Sequence, residues 1–137
     1  MKQYVLDACA LLALLQNEPG DDIVLSAFDA ADAGAAMLTM NKLTLLEVYY
    51  KIFRTQGKER ADRTISEVKE RQLEINHEMS DELFNEAGRL KATHKISFAD
   101  SIALAQASVL NAELLTSDHH EFDIVEKSEQ IRFHWIR

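Results

Sequence analysis

The chain has 137 residues, 47% hydrophobic and 28% charged, which is typical of one domain with a full core. The net charge of -8 argues against a surface built mainly to hold phosphates, because lysine and arginine drive that contact. With a single cysteine, Cys9, the chain cannot form an intrachain disulfide, which favours a reducing, cytoplasmic location. The apolar run Ala8–Leu15 is shorter than the roughly 20 residues that span a bilayer, so we predict neither a membrane segment nor a signal peptide.

Apolar periodicity and turn residues predict alternating strands and helices along the whole chain. In chain order we expect a strand at 4–6, a helix at 8–16, a helix capped by Asp21 or Asp22, a strand at 36–40, a helix capped by Asn41 and ending at 56, a helix at 58–71, a strand at 73–76, a helix from Ser80 to 91, a helix from 97 or 98 to 111, a strand at 114–116 and a strand at 131–136. Because helices separate the strands, we predict an α/β fold whose parallel sheet of about five strands is flanked by helices on both faces.

Two of the predicted helices have informative apolar patterns. The third helix has apolar residues at helical spacing, which predict its buried stripe: Leu43, Leu46, Tyr50 and Phe53. The helix that ends near 111 is apolar around most of its circumference, which predicts a central, buried position.

Basic residues concentrate between Lys42 and Arg63, where six of them accompany only three acidic residues. This local excess of positive charge fits the solvated surface of a helical hairpin. It fits equally well a patch that faces RNA, because the distribution of charge matters more than its sum.

Four acidic residues lie where buried carboxylates are unexpected: Asp7, Glu47, Asp100 and Asp118. Asp7 and Asp118 follow predicted strands, and the carboxyl ends of parallel strands share one edge of a sheet. Asp100 lies in the first turn of its helix, where the helix dipole favours negative charge. Glu47 lies about two turns into the third helix. Because a lone buried carboxylate is costly, we predict that all four meet in one acidic pocket.

Clustered carboxylates repel one another unless a cation neutralises them. Carboxylate and water oxygens suit Mg²⁺ and Mn²⁺, which can activate a water and stabilise phosphoryl transfer. Zinc fits less well, because the chain has no His-Glu-x-x-His run and no cysteine near a plausible histidine ligand. Glycine spacings match no phosphate loop, and there is no Gly-x-Ser-x-Gly elbow. The acidic residues therefore predict a divalent-cation site that cuts phosphodiesters.

Each acidic residue also has a purely structural explanation. Asp7 can cap the first helix, Asp100 can be only a helix-start charge, and Asp118 can end a strand in a turn. Glu47 can form a salt bridge with Lys51 one turn later. The occurrence of all four in one chain favours metal binding over these separate roles.

Several further residues near the last predicted strands have open roles. His119 and His120 lie in a polar segment, where adjacent histidines are more often surface or groove residues than ligands. Asp123, in the turn predicted at Glu121-Phe122-Asp123, can be an additional site acid, a helix cap or a surface residue. Cys9 lies in an apolar setting that suggests a packed small side chain.

Four segments resemble the motifs of PIN-domain ribonucleases, and most of all the VapC-type toxins of prokaryotic toxin–antitoxin pairs. The segments are Tyr4-Val5-Leu6-Asp7-Ala8, Leu43-Thr44-Leu45-Leu46-Glu47-Val48, Ser97 through Ala105 and Leu114-Leu115-Thr116-Ser117-Asp118, and Glu18-Pro19-Gly20 also fits. The resemblance extends over essentially all of the chain. It implies a single PIN-like nuclease domain at 1–137.

By this resemblance, Asp7, Glu47, Asp100 and Asp118 are the four acidic residues that bind metal and catalyse, and Thr116 is a hydroxyl residue beside them. The resemblance implies an endoribonuclease that depends on Mg²⁺ or Mn²⁺, takes RNA as substrate and leaves a 5′-phosphate and a 3′-hydroxyl. It also implies a homodimer and a cognate antitoxin whose tail occupies the active-site groove.

Two other classes of protein stay open on the sequence. A phosphatase of the haloacid-dehalogenase kind also uses Mg²⁺ and an acid after its first strand. That chemistry needs a second acid two residues later, where this chain has Cys9. A non-catalytic PIN-like module that only binds a partner would show no nuclease activity with either metal.

Overall fold

The computed structural model describes all 137 residues, which are built around one five-stranded sheet. The strands are β1 (Lys2–Leu6), β2 (Ala36–Asn41), β3 (Glu74–Asn76), β4 (Glu113–Thr116) and β5 (Arg132–Trp135). Their spatial order is β3-β2-β1-β4-β5, and every neighbouring pair is parallel. The prediction of a parallel sheet of about five strands is confirmed.

Seven helices connect and cover these strands. They are α1 (Ala8–Leu15), α2 (Asp21–Asp32), α3 (Lys42–Gln56), α4 (Lys58–Lys69), α5 (Asp81–Thr93), α6 (Phe98–Leu110) and α7 (His119–Ser128). None of them has both the length and the apolar character that crossing a membrane requires.

The two faces of the sheet carry separate hydrophobic cores, because successive side chains of a strand point to opposite faces. Leu6 and Leu115 pack into a core formed with residues of α1 to α4. Val5 and Leu114 pack into a second core with residues of α5, α6 and α7. Helices thus cover both faces, as predicted from the alternation of elements.

Capping side chains mark the predicted starts of α3, α5 and α6. The side chain of Asn41 accepts from the backbone N–H of Leu43 at 2.9 Å at the start of α3. Ser80 and Ser97 play the same role for α5 and α6. These caps confirm the three predicted starts, since each satisfies an N–H that has no partner within its helix.

The start of α2 differs from the prediction that Asp21 or Asp22 caps it. The residue before the helix is Gly20, whose φ of +95° disfavours any side chain, and both aspartates lie in the first turn. A Cβ at Gly20 would lie 2.5 Å from the carbonyl oxygen of Ile136. Glycine is therefore required by both the backbone angle and the close approach of the chain's end.

The predicted buried stripe of α3 is wrong. Its four members are 38–52% exposed, and α3 instead buries a neighbouring set of side chains: Thr44, Leu45, Val48 and Ile52. Both stripes have helical spacing, and α3 packs against α4, α1 and α6 through the second one. Periodicity shows that a helix has an apolar stripe, but with two such stripes the tertiary contacts select the one that is buried.

Helix α7 replaces the turn expected around Glu121 to Asp123. Asp118 caps it by accepting from the backbone N–H of Glu121, and Phe122 and Val125 are its buried residues. The spacing of these two apolar residues is the sequence signal for the helix. It is weak, because charged and polar residues occupy most of the remaining positions.

Candidate metal centre

Two acidic residues follow adjacent strands at one edge of the sheet. Leu6 pairs with Leu115 in the register of β1 and β4, and Asp7 and Asp118 follow those strands. The backbone N–H of Asp7 continues the ladder by donating to the carbonyl of Leu115 at 3.1 Å. Both carboxyl groups therefore lie at the carboxyl edge of the sheet, as the parallel topology predicts.

A third acidic residue comes from the buried helix α6. Ser97 begins this helix by accepting from the N–H of Asp100, and every residue from Asp100 to Ala107 is buried. Asp7, Asp100 and Asp118 each offer a carboxylate oxygen, and these oxygens lie within 4.8 Å of one another. We call this group the acidic triad. Its ligand set consists of oxygens alone, which suits a hard divalent cation.

The acidic triad has no basic counterpart. Asp7 and Asp100 are only 3% and 7% exposed, and Asp118 is half-buried. None of the three forms an ion pair with a lysine, arginine or histidine. Three carboxyl groups that are crowded, largely buried and unpaired with cations leave room for a bound metal as the neutralising charge.

Hydrogen bonds fix the carboxyl group of Asp7 on both of its oxygens. Oδ1 accepts from the backbone N–H of Ala8 at 2.7 Å. Oδ2 accepts from the hydroxyl of Thr116 at 2.9 Å and from the thiol of Cys9 at 3.3 Å. The fully buried Thr116 also accepts from the backbone N–H of Asp118 at 3.0 Å, so one hydroxyl links two members of the triad.

Burial and mutual repulsion set the protonation of the triad. Burial raises the pKa of Asp7 to about 6, although the hydrogen bonds from Thr116 and Cys9 oppose the rise. Burial raises the pKa of Asp100 to about 8, and the charges of Asp7 and Asp118 add to it. Without a cation Asp100 therefore keeps its proton at neutral pH. A metal would displace this proton, because metal ligands must be deprotonated.

Cys9 belongs to the surroundings of the triad, although its sequence context suggested only a packed small side chain. Burial, and then the charge of Asp7, raise the pKa of the Cys9 thiol to about 12. The thiol therefore stays neutral and donates to Asp7, while its sulfur accepts from the backbone N–H of Ser117 at 3.4 Å. The sequence signal that identifies this role is the spacing of two residues from Asp7.

Glu47 does not join the triad. Its carboxylate pairs with the Lys51 ammonium at 2.9 Å, the competing salt bridge that the i,i+4 spacing allows. Glu47 still lies close enough for its charge to raise the pKa of Asp7 slightly, as the smallest of the causes that act on that group. It is thus an outer acidic residue of the site.

His119, His120 and Asp123 also lie outside the triad. His119 is in contact with the carboxylate of Asp123 at 2.7 Å and with the carbonyl oxygen of Arg137 at 2.8 Å, one through each ring nitrogen. Two hydrogen bonds raise the pKa of His119, because both partners accept from the imidazolium. The bond to the Arg137 carbonyl has the larger effect and the bond to Asp123 the smaller. His120 is exposed, and Asp123 lies within α7 with its side chain 55% exposed.

The neighbouring strands end in neutral side chains. Asn41 at the end of β2 and Asn76 at the end of β3 both donate their amide N–H groups to Oε1 of Gln106, at 3.1 and 2.7 Å. Gln106 is 4% exposed and lies on α6. The sequence did not suggest this amide network, in which the ends of β2 and β3 carry neutral side chains whereas acids follow β1 and β4.

Comparison with known families yields one match over most of the chain. The sequence model of the PIN domain family matches residues 4–127. No curated protein sequence matches the chain.

Several solved structures share the fold at low sequence identity. VapBC-1 from nontypeable Haemophilus influenzae superposes with a TM-score of 0.72 at 20% identity, covering 98% of each chain. DNA-bound VapBC from Salmonella typhimurium has a TM-score of 0.77 at 15% identity, covering 100% of each chain. VapC20 from Mycobacterium tuberculosis, described as a sarcin-ricin loop cleaving toxin, has a TM-score of 0.60 at 12% identity, covering 81% of this chain and 86% of its own. The likeness to these structures lies in the fold.

Proposed function

The chain belongs to the PIN domain family, and from that premise we propose that residues 1–137 form one endoribonuclease domain dependent on Mg²⁺ or Mn²⁺. The observation that carries the proposal is the acidic triad: three carboxylate oxygens from separate parts of the chain within 4.8 Å, with no basic partner. Without a cation, repulsion among these three carboxylates would oppose the folded state. A divalent cation explains their convergence.

The residues present fit such a cation. Asp7 and Asp100 would hold it directly or through water, because they are the two most buried members of the triad. Cys9 is not among the residues whose ligand atoms converge, so the set contains no soft sulfur ligand that would favour zinc. A divalent cation bound there would supply a water of lowered pKa and neutralise charge on the phosphoryl group under attack.

The remaining residues of the site would orient its parts. Thr116 and Cys9 hold the Asp7 carboxyl group in one orientation by donating to its Oδ2. Asp118 completes the ring of acids, and with Glu47 at its margin would position the attacking water. The salt bridge to Lys51 fixes the orientation of Glu47.

We also propose that the domain is the toxin of a toxin–antitoxin pair and forms a homodimer. The solved structures with the same fold include VapBC complexes, and VapC20 is described as a toxin that cleaves an RNA loop. The chain has two exposed apolar surfaces. One is the exposed stripe of α3, formed by Leu43, Leu46, Tyr50 and Phe53, and the other is a groove of about 370 Å³ between α5 and α6 edged by Phe84 and Phe98. Surfaces of this kind usually mark contacts with other proteins. They support an antitoxin and a second copy of the chain as partners.

The deciding experiment measures cleavage of labelled single-stranded and structured RNAs. Wild type should cut with Mg²⁺ or Mn²⁺ and stop with chelator, whereas Asp7→Asn should fold and not cut. Asp22→Asn, which changes an exposed carboxylate of α2, is the matched control and should cut like wild type. Cleavage by Asp7→Asn at the wild-type rate would refute the proposal.

The same purified protein distinguishes the two alternatives. Turnover of a small chromogenic phosphate ester with Mg²⁺ would indicate a phosphatase. Absence of RNA cleavage with either metal, after removal of any bound inhibitor, would indicate a module that only binds a partner.

A further inference from the structure

Three aromatic rings form a stack that leads from the core to the surface beside the acidic triad. Phe133 and Trp135 of β5 are parallel within 11°, with ring centroids 5.3 Å apart. His119 stacks on Trp135 at 3.8 Å, also within 11°. We call these three residues the aromatic stack. The mechanism described above uses none of them.

The inner part of the stack is anchored. Phe133 contacts the fully buried Phe122 of α7, with ring centroids 5.6 Å apart. The indole N–H of Trp135 donates to the carboxylate of Glu126 at 3.0 Å. The plane of the Trp135 ring is therefore held by core packing and by a hydrogen bond to α7.

The outer ring is held just as firmly but remains open to solvent. One ring nitrogen of His119 contacts Asp123 at 2.7 Å, the other contacts the Arg137 carbonyl at 2.8 Å, and one ring face lies on Trp135. The His119 side chain is nevertheless 49% exposed. With both ring edges engaged and one face stacked, the other face accounts for much of that exposure. The result is a flat surface of fixed orientation that faces solvent.

The position of this surface relates it to the candidate chemistry. His119 directly follows Asp118, a member of the acidic triad, and both lie at the start of α7. Consecutive Cα atoms are about 3.8 Å apart, so the backbone of His119 lies next to that of a triad member, and one short RNA strand can contact both.

We propose that His119, supported by Trp135, is a stacking platform for one unpaired base of the RNA substrate. This inference rests on the proposed endoribonuclease function and adds a binding subsite to it. Every base has a π-face, and stacking on an aromatic side chain contributes about 1–3 kcal/mol per base. Stacking also suits a chain of net charge -8, because it does not depend on lysine and arginine contacts to phosphate.

The test compares three substitutions of His119 in the Asp7→Asn background, in which we expect RNA to be bound and not cut. His119→Ala removes the ring, His119→Phe keeps a flat face without charge, and His119→Lys keeps a charge without a flat face. His120→Ala is the matched control, because His120 is an adjacent exposed histidine outside the stack. The probe is a fluorescein-labelled single-stranded RNA of about ten nucleotides, beside the same strand with an abasic sugar at each position in turn.

We expect His119→Ala to weaken binding about 5- to 150-fold, in line with the loss of one stacked base. His119→Phe should restore most of the affinity, His119→Lys should not, and His120→Ala should bind like its parent. An abasic sugar at one position of the RNA should weaken its binding to the parent Asp7→Asn protein and leave its binding to His119→Ala unchanged. Far-UV circular dichroism verifies that each variant is folded, because emission from Trp135 changes whenever the ring stacked on it is replaced.

Any of three results would overturn the inference. His119→Ala could bind RNA as tightly as its parent, lysine and not phenylalanine at position 119 could restore the affinity, or no abasic position could weaken binding to the parent. In the wild-type background, His119→Ala should raise the KM for RNA cleavage more than it lowers kcat. If the wild type cuts no RNA with either metal, the proposed function fails, while the binding comparison still decides whether the platform exists.

Discussion

Replacing Asp100 by asparagine should stabilise the metal-free protein, and the gain should grow with pH. In the folded chain burial, followed by the charges of Asp7 and Asp118, raises the pKa of Asp100 from 3.8 to about 8. In the unfolded chain the same group loses its proton near its ordinary pKa of about 4. Between these two pKa values the folded state binds more protons than the unfolded state, so stability falls as pH rises. Asparagine has a similar shape and no charge, which removes this loss.

The magnitude follows from the displacement of the pKa. One pKa unit corresponds to about 1.4 kcal/mol, so the shift of Asp100 sets a ceiling of roughly 5–6 kcal/mol above pH 8. The triad is coupled and borders solvent, where the effective dielectric constant is high, so we expect about 2–4 kcal/mol of that ceiling. For a chain of this length the gain corresponds to a rise in Tm of roughly 6–16 °C. Below about pH 4 it should vanish, because both states then hold the proton.

The assay is thermal unfolding followed by circular dichroism in chelator, from about pH 5 to about pH 9, for wild type, Asp100→Asn and the exposed control Asp22→Asn. Added Mg²⁺ should stabilise the wild type more than Asp100→Asn, because the variant has lost a ligand. If Asp100→Asn is no more stable than wild type at about pH 8.5 in chelator, the argument that the triad is crowded and unneutralised is wrong.

Three further predictions concern neighbouring features. Thr116→Val should lower the free energy of unfolding by about 1–3 kcal/mol in urea titrations and slow RNA cleavage, whereas a wild-type rate would exclude its role in holding the triad. Gly20→Ala should lower the free energy of unfolding by about 2–4 kcal/mol, because φ is +95° and the new Cβ would meet a backbone carbonyl. Gly34→Ala, where φ is +76° and the space is open, should lower it by only about 1 kcal/mol in the same titration. Leu46 is 52% exposed, so Leu46→Asp should leave Tm nearly unchanged and reduce self-association or antitoxin binding measured by light scattering. Leu45 is 5% exposed, so Leu45→Asp should unfold the domain by burying a charge. Equal Tm values for these two variants would contradict the assigned packing of α3.

Much of the fold was predictable because its signals are local. Helix caps at Asn41, Ser80 and Ser97 depend on a side chain and an N–H two or three residues away, and all three are present. The alternation of strands and helices predicts a parallel sheet, and a parallel sheet places the residues after β1 and β4 at one edge. The parallel topology therefore places Asp7 and Asp118 at the same edge, and the pairing of β1 with β4 in the structure makes them neighbours.

Other features depended on contacts that local pattern does not contain. Helix α3 has two apolar stripes, and packing against α4, α1 and α6 decided which one is buried. The sequence allowed Glu47 to join the acidic triad or to pair with Lys51, and in the structure its carboxylate pairs with the lysine. Helix α7, with its sparse apolar residues, has a weak periodic signal, and its two buried residues join the core beneath β5.

The sequence by itself determined the order of every element except α7, the parallel sheet and the candidate acids, because backbone periodicity and capping are set by residues within about four positions of one another. The tertiary structure alone decided which oxygens converge, that Cys9 donates to Asp7, and that His119 stacks on Trp135. These contacts join residues on different elements, or depend on side-chain orientation, so the packing of the whole domain determines them.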